Sequence, residues 1–139
     1  MAGALAYRWD GRRARLYFHT CPGSYNDERL IEFIHQLSLH FRGERVTLLW
    51  DGLSSHWSGR MREYLATQRR WLEVERLPGY APELNPVEGL WANLKGRELA
   101  NRCEDRIEEV ATVAGRGVRR VRSSQHLLFG FLRYARLDL

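Results

Sequence analysis

Two carboxylates, Asp51 and Glu88, are the residues best suited by type and position to carry out chemistry. Asp51 follows the apolar run VTLLW, and Glu88 lies in the proline-containing stretch GYAPELNPVEGLWANLK. In open α/β sheets, ligands bind at the carboxyl ends of the strands. If the chain returns to that edge, both carboxylates converge there and bind Mg²⁺ or Mn²⁺, the hard cations that prefer oxygen. A pair of such ions activates water and stabilises the leaving oxygen in phosphodiester cleavage.

Each carboxylate also has a purely structural explanation. Asp51-Gly52 is a common turn sequence after a strand. Asn85 is a good N-cap and Pro86 suits the first helical position, so Glu88 falls at the capping-box position three residues after the cap. These local roles do not explain the stiff loop that precedes the helix, and the sequence leaves both interpretations open.

The elements that would position these acids alternate between strands and helices. Asp10-Gly11 predicts a two-residue hairpin turn. Asn26 and Ser58 are predicted helix caps, and the continuous apolar run 46–50 suits a strand buried on both faces. The predicted order is a hairpin over 4–18, a helix over 27–41, a strand over 46–50, a helix over 59–69, a strand over 72–77, and helices over 86–99, 105–114 and 126–135.

Helical spacing predicts which faces of the helices are buried. Trp91 and Lys95 fall on the same face as Glu88, and Gly115 and Gly117 are predicted to break the chain between the last two helices. The residues predicted to face inward are Leu30, Ile34, Leu37, Phe41, Met61, Leu65, Leu90, Leu94 and Leu99.

The two later strands are joined by a helix, which predicts a right-handed parallel crossover. The predicted fold class is therefore α/β with a mixed sheet. A chain of 139 residues suggests one domain, and 44% hydrophobic residues exclude a disordered chain. The sequence shows no membrane-spanning run and no signal peptide. Cys21 and Cys103 are isolated, make no site and fit a reducing compartment.

The net charge of +5 is concentrated at one end of the chain. Residues 115–139 hold six arginines against one acid, Asp138. This basic segment favours a polyanion partner, although a solubilising surface explains the charge equally well. The six arginines are Arg116, Arg119, Arg120, Arg122, Arg133 and Arg136.

Two motifs resemble those of a known family. LLWDGLSSH followed by LPGYAPELNPVEGLWANLK is similar to the second and third acidic motifs of DDE transposases, in the branch of bacterial insertion sequences related to the mariner elements. The resemblance covers the chain from about Ala4 to the last helix. It implies an RNase H-like mixed sheet and Mg²⁺- or Mn²⁺-dependent DNA cleavage and strand transfer.

The resemblance also implies roles for individual residues. Asp51 matches the second catalytic acid and metal ligand, and Glu88 matches the third. The residues that match positions shaping the site or touching DNA are His56, Asn85, Trp91 and Lys95. Arg116, Arg119, Arg120 and Arg122 are expected to contact phosphates. The implied partners are transposon ends, target DNA, and a second copy or an upstream transposase fragment, in the bacterial cytoplasm at the nucleoid.

The chain departs from the family pattern at the first acid. The family's first Asp lies upstream of a hairpin like that of residues 4–18, and Asp10, the nearest candidate, is expected to be a turn residue. We therefore expect a catalytic domain over residues 1–139 that is truncated at its N-terminus and ends in a basic helical tail over 115–139. Two alternatives are a catalytically inactive remnant that binds DNA or full-length transposase, and a stand-alone RNase H-like nuclease.

Overall fold

Capping side chains and turn glycines divide the chain into four strands and five α-helices in the part that the structure describes. The structure is a computed structural model that describes residues 1–21, 23–79, 81–98 and 107–137, with only the backbone for 107–111. The predictions for Leu99, Cys103 and the helix start at 105 fall outside these residues. The elements are β1 (Ala2–Tyr7), β2 (Ala14–His19), α1 (Asp27–His40), β3 (Val46–Trp50), α2 (Gly59–Thr67), β4 (Leu72–Arg76), α3 (Pro86–Arg97), α4 (Ile107–Arg122) and α5 (Gln125–Tyr134).

The chain folds into two compact units, and the first comprises Met1–Ala2 and Cys21–Ala81. In this unit the Asn26 side chain caps α1 by accepting a hydrogen bond from the Arg29 amide, 3.0 Å away. Ser58 caps α2 in the same way, with 3.1 Å between its hydroxyl and the Met61 amide. Both predicted helices and both predicted caps are therefore confirmed.

Strands β3 and β4 pair in parallel, with Val46 opposite Leu72 and Trp50 opposite Arg76. A short 3₁₀ helix, Ser54–Trp57, and then α2 connect them. The predicted parallel crossover is confirmed, and it places the carboxyl ends of both strands at one edge of the sheet.

The burial predicted for β3 is wrong. Its residues alternate between partly buried and exposed, and Leu49 is 49% exposed. The reason is that the buried side chains of α1 and α2 form one cluster with alternate strand residues, Val46, Leu48 and Trp50. Thr47 and Leu49 point away from this cluster, so β3 has the two-residue period of a half-buried strand.

The predicted single mixed sheet is also not formed by the described residues. They contain two separate two-stranded sheets, β1–β2 and β3–β4. Each pair belongs to its own core, because β2 packs against α4 and α5, whereas β3 packs with α1 and α2. The described residues form a mixed α/β arrangement of five α-helices and two small sheets.

The second unit comprises Gly3–Thr20 and Pro82–Leu139 and begins with the β1–β2 hairpin. The prediction of a two-residue turn at Asp10-Gly11 is wrong. The Arg8 amide donates a hydrogen bond to the Arg13 carbonyl at 2.9 Å, and this bond closes a loop of four residues. The Gly11 amide donates to the Arg8 carbonyl at 3.0 Å, and Gly11 has a φ of 67°. This left-handed conformation explains the glycine.

The core of the second unit lies between the hairpin and helices α3, α4 and α5. Leu90 and Leu94 of α3 are buried, which confirms the predicted apolar face of this helix. None of the described helices has the length and hydrophobicity needed to span a membrane. The buried residues of this core are Ala14, Leu16, Leu90, Leu94, Val118, Val121, Leu128 and Phe131.

The predicted break at Gly115 and Gly117 is wrong, because α4 runs through both glycines. Gly117 faces α3. A Cβ atom at this position would lie 2.6 Å from Leu94 Cδ2 and 2.7 Å from Glu98 Cδ. The glycine therefore allows close helix packing and does not mark a helix end.

Alanine at the two glycines should have opposite effects on stability. Gly117→Ala gains helix propensity of about 1 kcal/mol. It also forces two packed side chains to move, at a cost of about 1–3 kcal/mol. We expect a net loss in the free energy of unfolding for Gly117→Ala. Gly115→Ala meets only an ordinary contact, with Arg119 Nη1 at 3.9 Å, and should gain stability. Urea unfolding of both variants tests this, and equal effects would contradict the packing role of Gly117.

Candidate active site

Asp51 lies immediately after β3, where the backbone leaves the sheet. Its Oδ1 atom accepts a hydrogen bond from the Leu53 amide at 3.1 Å. Its backbone carbonyl accepts another from Trp57 Nε1 at 2.9 Å. The side chain is 38% exposed, so the carboxylate is oriented by its own loop and remains accessible to a ligand.

His56 lies beneath the Asp51 carboxylate. The residue is 6% exposed, and its ring stacks on Trp50 with 4.1 Å between the centroids. Its Nδ1 atom is 2.7 Å from Asp51 Oδ1. The alignment of these two atoms departs from hydrogen-bond geometry. Burial lowers the pKa of His56 below its usual 6.5, and the Asp51 carboxylate opposes that shift only in part. Burial therefore disfavours the protonated form of this ring.

Arg76 and Trp57 complete the surroundings of the loop after Asp51. The Arg76 guanidinium lies over the Trp57 ring, 5.3 Å from its centroid. Its Nη2 atom would lie 2.9 Å from a Cβ atom at Gly52. Neither residue is predicted from the sequence. Arg76 could have been predicted from the parallel pairing of the two strands. The last residues of paired parallel strands lie at the same edge of the sheet, where ligands bind.

Glu88 occupies the first turn of α3. The Asn85 side chain caps this helix by accepting from the Val87 amide at 3.2 Å. The Asn85 amide donates to the Pro82 carbonyl at 2.9 Å. That amide is the group to which a capping-box Glu88 would bind. The 3₁₀ turn Pro82–Leu84 therefore takes over this part of the cap, and the exposed Glu88 side chain is not needed for it.

The residues directly after Glu88 fix α3 against the core. Leu90 is fully buried. Gly89 faces α5 so closely that a Cβ atom would lie 3.1 Å from Phe131 Cδ1. The turn of α3 that carries Glu88 is therefore packed directly against α5.

Trp91 and Lys95 have different surroundings. Trp91 packs against Phe18 of the hairpin, with 5.9 Å between the ring centroids, and its ring also lies close to Gly3. Lys95 is exposed in the last turn of α3. The structure thus gives Trp91 a packing role, and contact of either residue with DNA stays a prediction.

The four arginines expected to contact phosphate also differ. Arg120 forms hydrogen bonds with both carboxylate oxygens of Glu98, at 2.8 and 3.0 Å, and with Asn93 Oδ1 at 2.7 Å. Arg122 Nε donates to the Leu16 carbonyl at 3.0 Å. Arg116 and Arg119 are exposed on α4. Arg120 is therefore engaged in the fold, and the segment expected to be a basic tail is in part a core helix.

Asp10 has the structural role predicted for it. Its Oδ1 atom accepts from the Arg12 amide at 3.1 Å, and its Oδ2 atom lies 3.3 Å from Arg8 Nε. Both carboxylate oxygens therefore take part in shaping the hairpin loop.

Asp51 and Glu88 suit a divalent cation by their chemistry, since both present accessible carboxylate oxygens, the ligands that Mg²⁺ and Mn²⁺ prefer. They belong to different compact units, and their participation in one metal site stays a prediction. Among the described side chains, no group of three or more His, Cys, Asp or Glu residues gathers as a metal site.

The sequence matches the family model described as DDE superfamily endonuclease over residues 10–111, a range that includes both acids. The chain therefore belongs to the DDE superfamily of endonucleases. A search among curated proteins finds no match. Membership in this family implies a transposase-type nuclease, an enzyme class that acts on DNA with divalent metals.

Proposed function

We propose that the chain is the catalytic domain of a transposase from a bacterial insertion sequence related to the mariner elements, with an RNase H-like fold. The observation that carries this proposal is the family match, because it spans both acidic motifs. The exposed, loop-oriented carboxylate of Asp51 at the end of a parallel strand supports it. The activity would be cleavage and strand transfer of DNA in the bacterial cytoplasm. The partners would be transposon ends, target DNA, and a second copy or an upstream transposase segment.

Asp51 and Glu88 would hold Mg²⁺ or Mn²⁺, which supplies activation of a nucleophile and stabilisation of the leaving oxygen. The Leu53 amide fixes one oxygen of Asp51. The Nδ1 atom of His56 lies 2.7 Å from the same oxygen and limits the space on that side of the carboxylate. The Asn85 amide is bonded to the Pro82 carbonyl in the preceding 3₁₀ turn, so the Glu88 carboxylate is not needed as its acceptor and stays available for a metal.

Iron-directed backbone cleavage tests whether the two acids share a metal. Fe²⁺ can replace Mg²⁺ at an oxygen-rich site, and with ascorbate and peroxide it cuts the peptide backbone close to where it is bound. We expect two cuts, one near Asp51 and one near Glu88, both suppressed by excess Mg²⁺. Fragment masses identify the positions.

The control for this experiment is Glu83→Gln, which changes an exposed carboxylate in the turn before α3 and should leave both cuts unchanged. Asp51→Asn and Glu88→Gln should each abolish both cuts. Cleavage near only one acid, or cuts that persist in these variants, would refute the shared site.

Contact of α4 with DNA phosphates predicts a specific salt dependence. Each phosphate contact contributes about 0.9 to the slope of log affinity against log salt for duplex DNA. Replacing the exposed pair Arg116 and Arg119 with alanine should lower the slope by nearly two, whereas Arg120→Ala should leave it unchanged. Anisotropy titrations of a labelled duplex at several salt concentrations measure this. An unchanged slope in the double variant would show that these arginines only solvate the surface.

A further inference from the structure

The loop of the β1–β2 hairpin, Arg8–Arg13, carries the most exposed large hydrophobic side chain of the described residues. Trp9 is 84% exposed. A single exposed apolar side chain is common on protein surfaces and has no significance alone. The loop, however, also has a charge and a shape that point to one kind of ligand.

The charge of this hairpin loop is strongly positive. It contains Arg8, Arg12 and Arg13, and its one acid is Asp10. Arg12 and Arg13 are exposed. The Asp10 carboxylate accepts from the Arg12 amide and pairs with Arg8, so it offsets the charge of one arginine within the loop. Trp9 is thus an exposed aromatic ring in a loop that also carries two exposed arginines.

The loop is also held in one conformation. Backbone hydrogen bonds join Arg8 to Arg13 and Gly11 to Arg8, and the positive φ of Gly11 completes the turn. The base of the hairpin is fixed to the core, because the Tyr7 hydroxyl donates to the Leu128 carbonyl at 2.9 Å. Gln125 of α5 binds both backbone groups of Ala14, at 2.8 and 2.9 Å. The aromatic ring is therefore presented by a rigid support, which reduces the entropy lost on binding.

We propose that this hairpin loop binds single-stranded DNA, with Trp9 stacked on an unpaired base and Arg12 and Arg13 against the flanking phosphates. Aromatic rings with adjacent cations are the usual means of binding single strands without sequence preference. In a duplex the base faces are already stacked on each other, so Trp9 would have no partner there. The inference rests on the proposed function for the identity of DNA as the ligand, and it adds a contact separate from the two acids.

The test is binding of the chain to a labelled thymidine 12-mer in EDTA, followed by fluorescence anisotropy. Stacking on one base predicts that Trp9→Ala weakens binding about tenfold, whereas Trp9→Phe retains most of the affinity. Replacing Arg12 and Arg13 with alanine should lower the salt slope by about 1.4 for a single strand. Tyr134→Ala is the matched control, because Tyr134 is 73% exposed on α5 and should not change the affinity.

Three results would overturn this inference. They are unchanged affinity of Trp9→Ala, an equal loss of affinity for a duplex of the same length, and an equal effect of Tyr134→Ala. Thermal melting of Trp9→Ala should match that of the parent, since the ring packs on no core residue. Because the assay contains EDTA, its outcome does not depend on the metal site. Failure of the proposed function would appear in the iron-directed cleavage, whereas failure of this inference would appear only here.

Discussion

Glu88→Gln is expected to lower DNA strand cleavage about a thousand-fold, because a divalent metal contributes several kcal/mol of charge stabilisation in the transition state. Glutamine keeps the size of the side chain and removes the charge that holds the cation. The side chain is exposed and its helix is capped by Asn85, so the fold should be unchanged. The measurement is nicking and strand transfer of element-end DNA in Mg²⁺ or Mn²⁺.

This assay should be run on the chain alone and after mixing with a segment that carries the family's first Asp. The resemblance assigns two acids of this chain, Asp51 and Glu88, to the proposed site, so we expect activity in the mixture and none from the chain alone. Glu83→Gln should cleave like the parent. Cleavage by the chain alone that Glu88→Gln abolishes would contradict the expectation. It would mean that another carboxylate of this chain completes the site.

Arg120→Ala is expected to lower the free energy of unfolding by about 2–4 kcal/mol, close to the cost of breaking a buried ion pair. Arg120 and Glu98 are only 29% and 14% exposed, and their side chains form two parallel hydrogen bonds. Removing the guanidinium leaves the Glu98 carboxylate and the Asn93 side chain without this partner. Denaturant unfolding measures the loss.

Arg119→Ala is the matched control, since it removes an exposed arginine from the adjacent position of α4 and should change stability by less than about 0.5 kcal/mol. A double-mutant cycle with Glu98→Gln isolates the energy of the pair. Additive effects in that cycle would contradict a direct interaction. Arg120→Ala should also leave the salt dependence of DNA binding unchanged, which separates its role in the fold from a role in phosphate contact.

The parts of the fold that were predictable from the sequence are those set by local interactions. Asn26, Ser58 and Asn85 cap their helices through side-chain bonds to amides two or three residues away. Such bonds depend on residue type and short spacing, both of which are visible in a sequence. The parallel crossover was predictable for a similar reason, because a strand, a helix and a strand of these lengths have few possible arrangements.

The parts that were not predictable depend on residues distant in the chain. The sequence predicts a helix break at Gly117, whereas the proximity of Leu94 shows that this glycine permits close packing. Arg120 is one of the four arginines predicted to contact phosphates, and its bonds with Glu98 and Asn93 depend on residues more than twenty positions away. An arginine-rich helix and an arginine-rich tail have the same composition, and the partner of each side chain decides between them.

In the candidate site, too, local features were predictable and contacts between distant residues were not. The position of Asp51 after a strand follows from the pattern of residues, whereas the burial of His56 beneath it and the stacking of Arg76 on Trp57 depend on the tertiary structure. The availability of Glu88 also needed the structure, because the bond from the Asn85 amide to the Pro82 carbonyl is what replaces the capping box. The joint action of Asp51 and Glu88 stays a prediction.

The close packing of Gly89 on Phe131 has a consequence for genetics. A Cβ atom at position 89 would lie 3.1 Å from Phe131 Cδ1, so we expect a large side chain at position 89, or a change of shape at position 131, to press on the turn of helix that carries Glu88. A screen for loss of transposition should therefore recover alleles in α5, far along the gene from the acidic motif. These alleles would have the phenotype of an active-site lesion, although the altered residues are not among the proposed metal ligands.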